Sequence, residues 1–161
     1  MKKVRQMLLT KLRNLVLLFS LLSFGAWATV FAAEKNPQSV QVTIGTILVS
    51  NQNDEFDSKL KGMEKQLRVL KYRSYRLLRN ETQNVPWQGN RVFEIPGGRS
   101  MTVAPQEFQN NRIALKVRLT EREKPLLDTT VTVPNKGNFL YVGGPPHEGG
   151  NLVLSISAAA Q

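Results

Sequence analysis

Ile113-Ala114-Leu115-Lys116-Val117-Arg118-Leu119-Thr120 sets an apolar side chain against a small, polar or charged one at every second position. Successive side chains of an extended chain point to opposite faces, so this run predicts a strand with one face on a core and the other in water. Downstream, Glu121-Arg122-Glu123-Lys124-Pro125 is a polar turn, after which Leu127, Thr129, Val131 and Val133 alternate with Asp128, Thr130 and Thr132. Two such runs joined by a short turn predict an antiparallel hairpin. Asn135-Lys136-Gly137 then leads to a short strand from Asn138 to Val142, a loop from Gly143 to Gly150, and a last strand from Leu152 to Ser157. Upstream, Arg91 to Ile95 and Ser100 to Ala104 flank Pro96-Gly97-Gly98-Arg99, a hairpin turn because paired glycines accept positive φ without steric cost. Lys71 to Arg79, rich in Tyr and Leu, predicts one more strand, and Asn84 to Asn90 a loop.

Ahead of these strands the period changes. Val40, Val42 and Ile44 alternate with Gln41 and Thr43, and Ile47-Leu48-Val49 continues as an apolar run, which predicts a central first strand. Asp54 then reads as a helix N-cap, with Glu55 and Asp57 in the first turn and Lys65 and Arg68 near the end, where the helix dipole favours each sign. Phe56, Leu60, Met63, Leu67 and Leu70 follow at helical spacing, an apolar stripe for packing on a sheet, weakened at Gly62 by about 1 kcal/mol relative to Ala. One helix segregated from a run of hairpins predicts an α+β fold. The expected architecture is a single amphipathic helix on a mainly antiparallel sheet, or on a small sandwich, of about 6–8 strands. The expected domain runs over 40–158, after a linker at 34–39, with a tail at 159–161.

The N-terminus has a different character. Lys2, Lys3, Arg5, Lys11 and Arg13 precede an apolar run from Leu15 to Phe24, no acid occurs before Glu34, and small residues surround Ala28, Ala32 and Ala33. Residues 1–33 therefore predict a secretory signal peptide; the alternative is an uncleaved inner-membrane anchor, since Leu15 to Ala33 approaches the roughly 20 residues that span a bilayer. Either reading exports the rest of the chain, to the periplasm or beyond. The charge of +10, from 22 Lys and Arg against 12 Asp and Glu in 161 residues, divides accordingly. Without the five leader bases, 17 remain against 12 acids. That modest surplus in an exported domain points away from nucleic acid. The absence of Cys excludes disulfides, thiol nucleophiles and thiolate metal sites, and one His leaves no His-rich metal centre. No cofactor is implied.

Two stretches are candidates for contact with a partner. From Lys59 to Arg79 eight bases meet one acid, Glu64, and Lys65, Arg68, Lys71, Arg73, Arg76 and Arg79 interleave with Tyr72 and Tyr75. Bases track anions and aromatic rings stack, so this run reads as a polyanion surface for anionic lipid or lipopolysaccharide. The competing reading, which the spread of the bases over two elements favours, is a solvated helix face followed by a charged edge strand. The second stretch is the loop containing Gly143, Gly144, His147 and Glu148; a strand follows it where a phosphate-binding P-loop needs Gly-Lys-Ser/Thr and a helix. His147 beside Glu148 offers a general acid or a single metal ligand, with no partner in the sequence to position it. Gly-x-Ser-x-Gly is absent, and the acids are scattered. Trp87 is either a core plug or an exposed contact residue.

Ile95-Pro-Gly-Gly-Arg-Ser100, Met101-Thr-Val-Ala-Pro105, Arg112-Ile-Ala-Leu-Lys-Val117, Leu127-Asp-Thr-Thr-Val131, Tyr141-Val-Gly-Gly-Pro145 and Leu152-Val-Leu-Ser-Ile156, taken with Leu67 to Leu78, together resemble small uncharacterised exported proteins of Gram-negative bacteria. Val131 to Pro145 also resembles the part of outer-membrane secretins where a strand pair ends in a Gly-Gly turn, with Pro145 where a Leu usually follows. No pore-forming segment accompanies it, so the resemblance implies a soluble module of an envelope assembly. The expectation is an exported, non-catalytic binding or assembly module whose partner is an envelope protein or an anionic surface. Small-hydrolase activity is the competing expectation.

Overall fold

The computed structural model describes residues 35–161; the expected signal peptide or anchor lies outside them. The chain forms β1 (Ser39–Ser50), β2 (Glu55–Phe56), a 3-10 turn (Ser58–Met63), α1 (Glu64–Arg68), β3 (Ser74–Pro86), β4 (Arg91–Ile95) and β5 (Arg99–Gln109). It continues with β6 (Arg112–Glu121), β7 (Lys124–Pro134), β8 (Gly137–Tyr141), β9 (Pro146–His147) and β10 (Gly150–Ala160). The protein is thus mostly β, in two sheets. Sheet I has the order β2-β3-β1-β10-β8, with β9 hairpinned onto β10; sheet II is the meander β4-β5-β6-β7. All pairs are antiparallel except β2 with β3.

Alternation carries the packing. Ile113, Leu115, Val117 and Leu119 of β6 are fully buried, and with Phe93, Met101, Val103 and Val133 they form one wall of the main core. Sheet I supplies the other wall from Val40, Val42 and Ile44 of β1 and Leu152, Leu154 and Ile156 of β10. Strands β1 and β10 are central, and at one end they are buried on both faces. Ile47, Val49 and Val153 point away from the main core into a second cluster with Leu60, Leu67 and Tyr75. The segment between β1 and β3 therefore covers part of the outer face of sheet I.

That segment differs from the single long helix expected from Asp54 onwards. Asp54 is taken by Arg73, whose Nε donates to Oδ1 at 2.9 Å. Phe56 instead pairs with Tyr75 as a strand, and Asp57 becomes the cap by accepting from the Lys59 amide at 2.9 Å. From this cap the chain winds through six residues of 3-10 helix, breaks at Met63 directly after Gly62, and completes five residues of α-helix. The apolar stripe still packs as its spacing predicts: Leu60, Met63, Leu67 and Leu70 all belong to the second cluster. Their spacing identified the face, while competing side-chain bonds at Asp54 and Asp57 decided the element.

Two further expectations are corrected. The stretch 159–161 is no tail. Ala159 and Ala160 pair with Gln41 and Val40, and the Gln161 amide donates to Ser39 O at 3.0 Å. The loop from Gly143 to Gly150 contains a hairpin, in which Pro146 and His147 pair with Asn151 and Gly150 across a turn where Glu148 and Gly149 both have positive φ. Trp87 packs on the main core as a half-buried plug.

Candidate functional site

The covering segment is shorter than the sheet beneath it, and that mismatch leaves a concave surface. Beyond Ile47 and Val153, the outer face of sheet I continues as Gln41, Thr43 and Gly45 on β1, Asn80 and Thr82 on β3, and Ser155 and Ser157 on β10. Apart from Ala159, these positions are polar or glycine and give a helix little to pack on. The 3-10 turn stops at Met63, leaving a stepped groove whose floor is sheet and whose wall is Lys59, Leu60, Gly62 and Met63. One compartment, of about 300 Å³, runs past Gln41, Thr43 and Ser157 to Lys136 and Asn138. The other, of about 210 Å³, lies over Gly45, Asn80 and Ser155 beside Lys59. They share Thr43, Met63 and Ser157, so they are two halves of one groove.

Several contacts hold its shape. Gln66 and Asn138 form a reciprocal amide pair, Nε2 to Oδ1 at 3.2 Å and Nδ2 back to Oε1 at 2.8 Å, which pins α1 to the edge strand β8. Thr43 and Thr82 hydroxyls meet at 2.8 Å across the floor. At the far end, the Lys136 amide donates to Ala158 O at 2.8 Å, and Asn135 Oδ1 accepts from the Ala160 amide. Lys136 is held at φ 63, in the turn where the chain crosses from sheet II back to sheet I.

Within the basic run from Lys59 to Arg79 the arginines are ion-paired and, among the described residues, the lysines are not. Each arginine in it is occupied by an acid: Arg68 by Glu64 at 3.2 Å, Arg73 by Asp54, Arg76 by Glu148 at 3.3 Å and Arg79 by Glu81 at 2.9 Å. The planar guanidinium matches a carboxylate better than an ammonium does, which explains the sorting. Arg73 and Asp54 reinforce each other: their hydrogen bonds hold the Asp54 carboxyl below its usual range and raise the Arg73 guanidinium. Arg68 also covers the second cluster, with its guanidinium carbon 4.8 Å from the Phe56 ring and 5.9 Å from that of Tyr75. Tyr75 is completely buried, donating to Leu67 O at 2.9 Å and accepting from the Tyr72 amide at 3.1 Å, so it offers no ring to a partner. Tyr72 is half-buried against the same cluster. Lys59, Lys61, Lys65 and Lys71 are exposed and have no carboxylate within ion-pair distance among the described residues.

The glycine-rich candidate loop lies elsewhere and ties the sheets together. Arg99, buried at the start of β5, reaches from sheet II to donate through Nη2 to Pro146 O at 3.3 Å and through Nη1 to Pro96 O at 3.0 Å. Its Nε lies 2.9 Å from Glu121 Oε1, an ion pair set off the direction of the N–H. Glu148 sits between His147, at 3.6 Å, and Arg76. Gly144 passes so close to β10 that a Cβ would lie 2.0 Å from Leu152 O, and Gly143 O accepts from the Tyr141 hydroxyl at 2.9 Å. These residues hold a chain crossing in place, which accounts for the glycines without a ligand. The groove itself is not predicted from the sequence. Its signal lies where the apolar runs Ile47-Leu48-Val49 and Leu152-Val153-Leu154 give way to the alternating Gln41, Thr43 and Ser155, Ser157.

No family model, curated protein or solved structure matches this chain.

Proposed function

We propose that the chain is an exported binding or assembly module of a bacterial envelope, working without catalysis, with the uncovered half of sheet I as its site. The observation that carries this reading is the groove: a wall ends over a floor of hydroxyl and amide side chains, where a closed fold would have continued the apolar packing. Hydroxyls, amides and lysines bind; neither compartment is lined by a carboxylate or by His147 to act as general base, which favours binding over hydrolysis. The leader-like N-terminus and the resemblance to exported proteins support the location. Site-specific photocrosslinking of the full chain in intact envelopes tests it. A benzophenone side chain at Gln41, in the groove, should trap a discrete envelope component that the same group at Thr130, on the outer face of sheet II, does not. Equal yields at the two positions would remove the groove as the site.

A second reading rests on the exposed Lys61, Lys65 and Lys71, close in sequence to Val69, which at 74% exposure is the most exposed large apolar side chain described. An exposed apolar side chain with lysines close to it in the chain suits an anionic lipid surface. Binding of the full chain to phosphatidylglycerol vesicles should weaken steeply with salt and fall in Lys65→Gln/Lys71→Gln. Binding unchanged by both would discard this reading.

A further inference from the structure

We propose that the groove takes a polyhydroxylated anion: a sugar or short sugar chain bearing carboxylate or phosphate. This ligand class presupposes that the groove is the binding site. Every ionised side chain on its lining is a lysine, Lys59 in one compartment and Lys136 in the other. Neither lysine has an acid within ion-pair distance among the described residues. The nearby carboxylates are already committed. Asp57 accepts from the Lys59 and Leu77 amides, and Glu64 pairs with Arg68. Two unneutralised ammonium groups flanking one concavity favour an anion over a neutral or cationic guest.

The remaining lining sets the body of the guest. Gln41, Asn80, Ser155 and Ser157 each carry a group that both donates and accepts, the requirement for binding hydroxyls, which do the same, while Thr43 and Asn138 already bond Thr82 and Gln66. No aromatic ring lines either compartment, so a planar apolar ligand finds no stacking partner and hydrogen bonds must supply the selectivity. Leu60, Met63, Ile47 and Leu77 gather in the Lys59 compartment as a short apolar surface that suits the C–H face of a sugar ring.

Titration of the full chain with four probes, followed by amide chemical shifts, tests the assignment. The probes are trigalacturonate for carboxylate, glucose 6-phosphate for phosphate, maltotriose for hydroxyls without charge, and inorganic phosphate for charge without hydroxyls. The expected result is that at least one charged sugar moves the Thr43 and Ser157 amides, binds more weakly as salt is raised, and loses about fivefold in affinity in each of Lys59→Gln and Lys136→Gln. Comparing the two charged sugars identifies the acidic group. Maltotriose binding as tightly as the charged sugars would overturn the anionic assignment and leave the groove as the site. Inorganic phosphate binding as tightly would overturn the sugar assignment. No shift at Thr43 or Ser157 with any probe would overturn the ligand class, and the groove reading as well if crosslinking at Gln41 also traps nothing.

Discussion

At the scale of single residues, the positions that decide most are polar side chains which the fold has fixed in place. Tyr75 is the example. Its ring fills the second cluster, and its hydroxyl accepts from the Tyr72 amide while donating to Leu67 O, a carbonyl that the Leu70 amide also reaches. Tyr75→Phe keeps the ring and should cost about 1–2 kcal/mol, read as a lower urea midpoint with unchanged slope. The β6–β7 turn is a different case. Arg122 and Glu123 occupy both central positions at φ 46 and 70, where glycine or asparagine is the usual occupant. Left-handed backbone costs a side-chain-bearing residue about 1–2 kcal/mol, against about 0.5–1 kcal/mol for the added freedom of glycine in the unfolded chain. Glu123→Gly should therefore stabilise the protein by about 0.5–1 kcal/mol in the same urea titration. The alternating run made the hairpin legible in the sequence, whereas Glu-Arg-Glu gave no hint of the turn's handedness, which the pairing of the flanking strands imposes.

At the scale of elements, strand ends were less legible than strand centres. The run Leu152 to Ser157 was enough to predict β10, yet the strand continues through three alanines whose small side chains carry no clear alternation. Backbone pairing extends it: Ala160 lies opposite Val40 and its amide reaches Asn135. Deleting residues 159–161 should lower stability by about 1–3 kcal/mol and reduce the thermal midpoint, because several backbone bonds and one side of the groove floor are lost together. An unchanged midpoint would mean that the strand ends before Ala159. The covering segment shows the converse. Helical spacing at Leu60, Met63, Leu67 and Leu70 was readable, but an apolar stripe reports which side faces the core and not how many residues wind regularly. Asp57, Gly62 and the Phe56–Tyr75 pairing shortened the helix, and the shortening is what opens the groove.

At the scale of the whole molecule, a positively charged chain is held partly by exposed carboxylates, and this sets its response to pH. Asp128 receives Lys116 Nζ at 2.5 Å and Arg118 Nε at 2.9 Å on the outer face of sheet II. Those bonds, from Lys116 and then Arg118, hold its carboxyl below the ordinary 3.8, as Arg73 does for Asp54. A carboxylate depressed in the folded state contributes fully above the unfolded value and loses that contribution as pH falls through 3.8 towards the folded value. The urea midpoint should therefore decline on acidification below about pH 4, less steeply in Asp128→Asn, and added salt should shrink the difference because both carboxylates are exposed. A variant with the same pH profile as the parent would assign the decline to other groups. By itself the sequence determined that the chain is β-rich, which faces of its strands are apolar, and where its hairpins turn, because these follow from the local two-residue period and turn chemistry. Only the tertiary structure decided which acid each arginine of the basic run takes, where the covering segment stops, and that lysines far apart in the chain flank one polar groove. Those outcomes depend on contacts between residues distant in sequence, and no local period records them.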